Sequence, residues 1–222
     1  MKKQLLTFVI AATFLKVFLI PQFVSAQNSR IWGTFYGGTG DDYGNDVARD
    51  AAGNVYLAGG TSSDNGMASG GFLNTFGVGG KAFLVKFDAN GNRIWATYYG
   101  DTLGLETSGS CVATDASGNV YLAGATYDTV GIASGGFQNG FFGSQFVAYL
   151  VKFDANGNRL WGTYYGGGGP GGGASTGPSS LATDATGNVY MAGTTNSPDS
   201  IASGGFLNTY GGGGTLGGLL SL

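Results

Sequence analysis

Residues 115–124 read Asp-Ala-Ser-Gly-Asn-Val-Tyr-Leu-Ala-Gly, and this stretch decides the fold because the chain repeats it. Copies that differ only at the third and eighth positions begin at Asp50 and Asp184. The Asp-Ala-x-Gly-Asn half predicts a hairpin turn, because Gly tolerates a positive φ and Asp and Asn bond the nearby backbone. The other half is rich in β-branched and aromatic residues, so it predicts a strand.

Three further motifs accompany this one in a constant order. They read [Ile/Leu]-Trp-[Gly/Ala]-Thr-[Phe/Tyr]-Tyr-Gly, Ala-Ser-Gly-Gly-Phe and Phe-Asp-Ala-Asn-Gly-Asn-Arg-[Ile/Leu]-Trp. Their copies begin at Ile31, Ile94 and Leu160, at Ala68, Ala133 and Ala202, and at Phe87 and Phe153. A constant order at a period of about 66 residues indicates an array of supersecondary units. The chain is therefore predicted to hold three repeats, at about 31–93, 94–159 and 160–222.

Each repeat is predicted to form a four-stranded antiparallel meander, with strands in one unit at 93–99, 111–115, 119–126 and 148–153. In residues 55–58, Val-Tyr-Leu-Ala, both faces of the strand are apolar, so the sheet must be covered on both sides. Radial stacking of blades provides this cover. We therefore predict an all-β fold, a β-propeller built from four-stranded antiparallel blades. Its tight turns lie at one end and its long connectors at the other, where a ligand is first sought.

The ring is predicted to be incomplete or open. About three blades are present, fewer than the ~4–8 of closed propellers. After residues 206–210 the chain continues in a Gly-rich run, where a strand like 83–87 and a closing hairpin are expected. Each uncovered end face would present roughly 350 Å² from strand spacing and rise, a patch that soluble monomers avoid. We expect the chain to be a fragment of a longer protein or to complete its ring by self-association.

The first 26 residues have the pattern of a secretory signal peptide. Lys2 and Lys3 precede an apolar run at 5–15, and small residues offer a cleavage site after Ala26. Lys16 interrupts the apolar run, which is too short to span a bilayer. The sequence thus predicts export through the Sec route and a secreted or cell-surface protein, with no membrane span after cleavage and a propeller over 27–222.

Composition excludes several classes of function. The predicted signal peptide holds three of the ten basic residues, so seven remain against thirteen acidic ones, a net charge of about −6. That sign argues against nucleic acid as a partner. The chain has 45 glycines but no histidine, and its one cysteine is Cys111. A Ser-His-Asp triad, a Cys/His zinc site and an intramolecular disulfide are therefore unavailable.

The remaining chemical candidates have structural explanations. The aspartates that open the repeated turns, Asp50, Asp115 and Asp184, recur once per repeat, as turn residues do. The string at 88–92 has oxygen ligands for calcium, but no Glu closes a loop of the EF-hand type. Asp41, Asp42 and Asp46 offer ligands for a metal ion in the first copy, but we expect a solvated acidic loop. Other candidates and their expected roles are Cys111 as a half-buried thiol, Trp32, Trp95 and Trp161 as blade-to-blade packing, and Lys86 and Lys152 in surface pairs with Asp88 and Asp154. The sequence therefore predicts no catalytic, cofactor-binding or metal-binding residue.

Three stretches together resemble the bacterial SBBP repeat, a β-propeller repeat of exported and cell-surface proteins. They are 36–42 (Tyr-Gly-Gly-Thr-Gly-Asp-Asp), 50–56 (Asp-Ala-Ala-Gly-Asn-Val-Tyr) and 83–88 (Phe-Leu-Val-Lys-Phe-Asp). The resemblance implies a propeller outside the cell, in a family mostly without an assigned activity. The Gly-Asp-Asp element occurs only in the first copy, since 100–106 and 166–173 depart from it.

Two hypotheses for function follow. The first is an exported, non-enzymatic module for recognition, adhesion or envelope structure, with a surface glycan or a protein as partner and no cofactor. The second is a fragment of a propeller enzyme, carbohydrate-active or quinone-dependent, whose catalytic blades lie outside this chain. Two carboxylates converging at the central channel, away from the turns, would favour the enzyme.

Overall fold

Strands alternate with two kinds of connection along the chain. The computed structural model describes residues 30–101, 104–142, 145–166, 176–198, 201–211 and 216–221. The strands are β1 Asp42–Arg49, β2 Val55–Thr61, β3 Lys81–Phe87, β4 Arg93–Tyr99, β5 Thr107–Thr114, β6 Val120–Thr126, β7 Val147–Phe153, β8 Arg159–Tyr165, β9 Thr176–Thr183, β10 Val189–Thr195 and β11 Leu216–Ser221. The predicted signal peptide at 1–26 lies outside the described residues.

These strands form three antiparallel sheets. Sheet 1 has the order β1-β2-β3-β4, sheet 2 the order β5-β6-β7-β8, and sheet 3 the order β9-β10-β11. No helix is present in the parts of the chain that the structure describes, and so none there could cross a membrane. The prediction of an all-β fold with four-stranded antiparallel blades in an open ring is confirmed.

The predicted grouping of the strands was wrong by one strand. Arg93–Tyr99 was expected to open a meander, but as β4 it pairs with β3 and closes sheet 1. The cause is the turn at 88–92, where Asp88 N donates to Asn92 O at 2.8 Å and Gly91 N to Asp88 O at 3.0 Å. This turn is tight, whereas the connector at 100–106 is long. The sheets are therefore offset from the repeat boundaries, because a repeat in sequence does not show where its unit begins.

Sheet 2 is covered on both faces, as the apolar pattern predicts. One face packs on sheet 1 in a core that includes Tyr56, Tyr99, Tyr149 and Phe153. The other packs on sheet 3 around residues such as Met191. The first strands of the sheets, β1, β5 and β9, are neighbours from one sheet to the next. Both Asp-Ala-x-Gly-Asn turns of a sheet lie at the same end, and the long connectors form a loop-rich end.

The two end sheets differ from the predicted picture. In sheet 3, the Gly-rich residues at 216–221 do form a third strand, β11, although they lack the aromatic side chains of β3. Among the described residues no fourth strand pairs with β11. In sheet 1, the outer face is not bare, because Tyr36 and the loop residues Met67 and Phe76 pack on it. Residues 30–37, which hold the first copy of the motif that forms β4 and β8, belong to no sheet in the described structure.

Candidate functional site

A cleft opens between sheets 1 and 2 at the loop-rich end. Its volume is about 350 Å³, within the ~300–1,000 Å³ range of small-molecule sites. It exists because the strand ends here are small: a Cβ built on Gly60 would meet nothing within 4 Å. The lining residues come from both sheets and their connectors: Asp41, Tyr43, Asn45, Gly60, Thr61, Ser62, Gly80, Lys81, Glu106, Thr107 and Ser108.

The walls of the cleft carry polar groups and one open aromatic ring. The Tyr43 side chain is 63% exposed, and the acidic residues Asp41 and Glu106 are exposed as well. Asn45 is fixed across the two sheets, since its Nδ2 donates to Gly109 O at 2.7 Å. The walls therefore offer carboxylate and hydroxyl oxygens as acceptors, hydroxyls as donors and a flat apolar ring.

A buried charged cluster adjoins this cleft. Lys81 is fully buried, and its Nζ donates to Val78 O at 2.6 Å. Asp128 is also fully buried, and its Oδ2 accepts from Asp101 N at 2.7 Å and from Thr107 Oγ1 at 2.6 Å. Burial, followed by the neighbouring Asp101, raises the pKa of Asp128, although the Thr107 hydrogen bond opposes this. Burial has the opposite effect on the basic side chain and lowers the pKa of Lys81.

The cluster was not predicted from the sequence because Lys81 and Asp128 are not repeated, and each stands where another copy has a different residue. The strand register places Lys81 where sheet 2 has Val147, and Asp128 where sheet 1 has Ser63. In sheet 1 the acid stands instead at Asp42, whose Oδ2 accepts from Ser63 Oγ at 2.9 Å. Sheet 1 thus has the acid at the start of its first strand and the hydroxyl after its second strand. Sheet 2 has the reverse, with the Thr107 hydroxyl on its first strand and Asp128 after its second. The sequence did contain a signal, since Lys81 is charged at a strand position where the second copy has the apolar Val147.

Asp101 and Asp128 are the carboxylates that converge away from the turns. Asp128 Oδ1 is buried and has no hydrogen-bond partner in the described residues. Asp101 is only 6% exposed and Asp128 is 0% exposed, so neither reaches the solvent that fills the cleft. Among the described residues no three Asp, Glu or Cys side chains lie close enough to hold a metal ion together. The two carboxylates are thus buried beside the cleft and are not part of its walls.

The repeated turn aspartates act locally, as predicted. Asp115 Oδ1 accepts from Asn119 N at 2.9 Å, and Oδ2 accepts from Asn119 Nδ2 and Tyr121 Oη at 2.8 and 3.1 Å. Burial works against ionisation, but these hydrogen bonds outweigh it and hold the pKa of Asp115 below 3.8. Asp50 and Asp184 make the same bonds in the other copies. Asp88 and Asp154 bond their own turns in the same manner.

Asp41, Asp42 and Asp46 do not form the solvated loop that was predicted. Asp42 accepts from Gly38 N at 2.8 Å and from the hydroxyls of its own sheet, so it fixes the loop before β1. Asp46 Oδ2 accepts from Val112 N at 2.8 Å in the next sheet. Of these three aspartates, Asp41 is the one that lines the cleft as an exposed acid. Their side chains thus serve separate contacts.

The lysine prediction was wrong. Lys152 Nζ lies 3.4 Å from Asp115 Oδ2 rather than pairing with Asp154. Lys86 Nζ donates at 3.0 Å to Ala155 O of sheet 2. The sequence prediction considered only neighbours along the chain, whereas a side chain in a sheet meets the adjacent strand and the adjacent sheet.

Cys111 and the tryptophans are packing residues. Cys111 is 2% exposed, more buried than the half-buried thiol expected, and burial raises the pKa of its thiol to about 11. Trp95 Nε1 donates to Ala155 O of the next sheet at 3.0 Å, which confirms blade-to-blade packing at this position. A Cβ on Gly157 of the same turn would lie 2.9 Å from the Trp95 ring.

Comparison with known proteins agrees with this architecture. Residues 160–199, which include β9 and β10, match the family model described as a β-propeller repeat, SBBP. A search of curated proteins gave no match. The resemblance seen in the motifs of the chain is therefore confirmed, as a match of residues 160–199 to the SBBP β-propeller repeat.

Proposed function

We propose that this chain is an exported, non-enzymatic recognition module and that the cleft between sheets 1 and 2 binds its ligand. The observation that carries the proposal is the cleft itself. It combines the exposed Tyr43 ring with the carboxylates of Asp41 and Glu106 at the loop-rich end. Sites of this kind fix a ligand with a few polar groups and an apolar surface.

The chemistry of the walls favours an uncharged or basic oligosaccharide. Sugar hydroxyls both donate and accept, which matches the carboxylates of Asp41 and Glu106 and the hydroxyl of Ser62. The apolar side of a sugar ring can pack on Tyr43. The two exposed carboxylates repel anionic glycans, while the positive charge of Lys81 is buried.

The accessibility of the acids supports binding without turnover. General acid–base catalysis needs a carboxyl group within hydrogen-bonding reach of the substrate. The Asp101–Asp128 pair is buried, and Asp41 and Glu106 lie on the walls as solvated groups. The competing hypothesis of a propeller enzyme therefore gains no support from the buried pair, and we assign the exposed carboxylates of the cleft, Asp41 and Glu106, to binding.

A glycan array followed by calorimetry tests the binding proposal. We expect neutral or amino-sugar oligosaccharides to bind, Tyr43→Ala to weaken binding at least tenfold, and Glu106→Gln to weaken it less. Val130→Ala is a matched control, because Val130 is a similarly exposed apolar residue outside the cleft. Incubation with the bound glycan should release no product. Turnover, or affinity unchanged in Tyr43→Ala, would contradict the proposal.

Export is tested separately. The signal-peptide pattern of residues 1–26 supports it. Mass spectrometry of the protein recovered from the envelope and the medium should find an N-terminus at Gln27. Recovery of only the uncleaved chain from the cell interior would contradict export while leaving the glycan proposal untouched.

A further inference from the structure

The segment at 32–36 repeats the contacts of a fourth strand, although it lies in no sheet. Trp32 Nε1 donates to Ala89 O at 3.1 Å, as Trp95 Nε1 does to Ala155 O at 3.0 Å. A Cβ on Gly91 would lie 2.9 Å from the Trp32 ring, as one on Gly157 would from Trp95. The segment therefore meets sheet 1 as β4 meets sheet 2.

The tyrosine at the end of each segment shows the same equivalence. Tyr36 donates its hydroxyl to Met67 O, and Tyr99 donates to Ile132 O. The Tyr36 ring lies edge-on to Phe87 with centroids 5.7 Å apart, and the Tyr99 ring lies edge-on to Phe153 at 5.9 Å. Burial raises the pKa of Tyr36 to about 12. The position of a preceding sheet's fourth strand is thus already occupied on sheet 1.

The opposite side of this segment is bare. Phe35 is 104% exposed, whereas its counterparts Tyr98 and Tyr164 are each 1% exposed. Those two are buried because strands β3 and β7 of their own sheets lie beside them. Val47 on β1 is 62% exposed, whereas its counterpart Val112 is 4% exposed beneath sheet 1. The exposed Phe35 and Val47 therefore mark the position that a sheet preceding sheet 1 would occupy. The fourth strand of that sheet is already represented by the segment at 32–36.

Sheet 3 has the complementary gap. In sheet 1 the fourth strand lies between β3 and the loop after β2, where Ser69 N donates to Ala96 O and Thr97 Oγ1 accepts from Leu73 N. In sheet 3 the corresponding loop residues Phe206 and Leu207 are 107% and 63% exposed. No described residue lies between this loop and β11 as a strand.

We propose that two copies of this chain associate and that the segment at 32–36 of each copy becomes the fourth strand of sheet 3 in the other. Each completed sheet 3 then packs on sheet 1 of the partner copy and covers Phe35 and Val47. The three described sheets of each copy together supply six blades, within the ~4–8 of closed propellers. Each contact is head-to-tail, from sheet 3 of one copy to sheet 1 of the other, and the ring closes with two copies because each copy spans half of it.

The strand register predicts which residues meet. Phe83 pairs with both Gly59 and Tyr98 in sheet 1, and Gly193 pairs with Gly218 in sheet 3. Gly193 corresponds to Gly59, so Gly218 corresponds to Phe83. The incoming Phe35 corresponds to Tyr98 and therefore lies opposite Gly218.

Cross-linking between two variants tests this register. Cys111→Ser removes the native thiol, and serine already stands at the equivalent Ser180. In that background, Phe35→Cys and Gly218→Cys are made in separate chains starting at Gln27, mixed, and oxidised. We expect a disulfide-linked dimer from the mixture and none from either variant alone. Replacing Gly218→Cys by Leu220→Cys keeps the same face but moves the thiol two residues, to a Cα separation of ~7–8 Å. Cross-linking should then fall at least fivefold.

A second test does not depend on cysteine. Thr34→Pro removes a backbone donor from the incoming strand, while Thr34→Ala keeps it. Sedimentation should show a dimer for the native chain and Thr34→Ala, and a monomer for Thr34→Pro with an unchanged circular dichroism spectrum. A monomeric native chain, equal cross-linking at both registers, or a disulfide formed within one chain carrying both cysteines would overturn the proposal.

Discussion

The contact between sheets 1 and 2, the first junction, differs from the contact between sheets 2 and 3, the second junction, although both use the same strand sequences. At the first junction Trp95 Nε1 and Lys86 Nζ both donate at 3.0 Å to Ala155 O. At the second junction Trp161 and Lys152 hold the equivalent positions. The described residues of sheet 3 include no turn equivalent to 154–158 that could supply the acceptor. Lys152 approaches Asp115 at 3.4 Å instead.

Packing differs in the same direction. The first junction buries a continuous aromatic core, with Tyr99 5.1 Å from Tyr149 between ring centroids. The second has a small pocket of about 20 Å³ within its packed residues, lined by Tyr165, Met191 and Ile201, whereas the cleft of the first junction lies at the strand ends, outside the aromatic core. One motif can therefore stabilise two contacts to different extents, because its partner atoms come from the next repeat rather than from its own.

The largest expected effect separates the two junction tyrosines. Tyr99→Ala should lower the free energy of unfolding by about 3–5 kcal/mol, since it empties a closed aromatic core. Tyr165→Ala should cost about 2 kcal/mol, because Tyr165 already borders a cavity and has fewer contacts to lose. Urea unfolding followed by circular dichroism measures both values.

Two phenylalanine variants serve as controls. Tyr99→Phe and Tyr165→Phe each remove one hydroxyl donor, to Ile132 O and to Ile201 O, while keeping the ring. Each should cost about 1 kcal/mol. Equal losses for the two alanine variants would show that the junctions are equally packed and would end the comparison.

A smaller effect is expected at the turn that receives Trp95. Gly157 and Gly118 have φ values of +84° and +82°, so alanine is strained by about 1–2 kcal/mol at either position. At Gly157 the added Cβ also meets the Trp95 ring at 2.9 Å, whereas at Gly118 the nearest atom is 4.0 Å away. Gly157→Ala should therefore destabilise the protein by about 1–2 kcal/mol more than Gly118→Ala.

Replacing the tryptophan sharpens this test. In a Trp95→Leu background the Cβ of Gly157→Ala no longer meets an indole ring, so the two alanine substitutions should cost nearly the same. Thermal unfolding of the four variants measures the coupling. A difference that persists without Trp95 would assign it to the turn rather than to the junction.

Whether a feature could be predicted from the sequence depends on where its interacting residues lie along the chain. Turns and strands were predictable because a motif such as 115–124 specifies its own hydrogen bonds. The apolar faces predicted stacking, because Tyr56 and Leu57 point to opposite sides of one sheet. The grouping of β4 was not predictable, since a repeat has no marked beginning. Lys81 and Asp128 were not predictable as neighbours because they come from different repeats and meet only after the sheets pack.

The smallest effect concerns the two lysines and depends on pH. The pKa of Asp115 lies below 3.8: burial opposes ionisation, and hydrogen bonds from Asn119 and Tyr121 together with Lys152 outweigh it. A carboxyl group with a depressed pKa in the folded state contributes stability above 3.8, and this contribution is lost as the pH falls through its folded value. Lys152→Met should therefore lower stability at pH 6 by up to about 0.5–1 kcal/mol, with the difference from the native chain shrinking below pH 4.

Lys86→Met is the matched variant at the first junction. The acceptor of Lys86 is the Ala155 carbonyl, which does not titrate, and among the described residues Lys86 forms no ion pair with Asp50 like the one between Lys152 and Asp115. Its loss should cost about 1 kcal/mol at both pH 6 and pH 3.5, with a smaller change between them than Lys152→Met shows. Urea midpoints at the two pH values measure this. If both variants showed the same pH dependence, the two lysines would be held by equivalent partners, and the junctions would differ in packing alone.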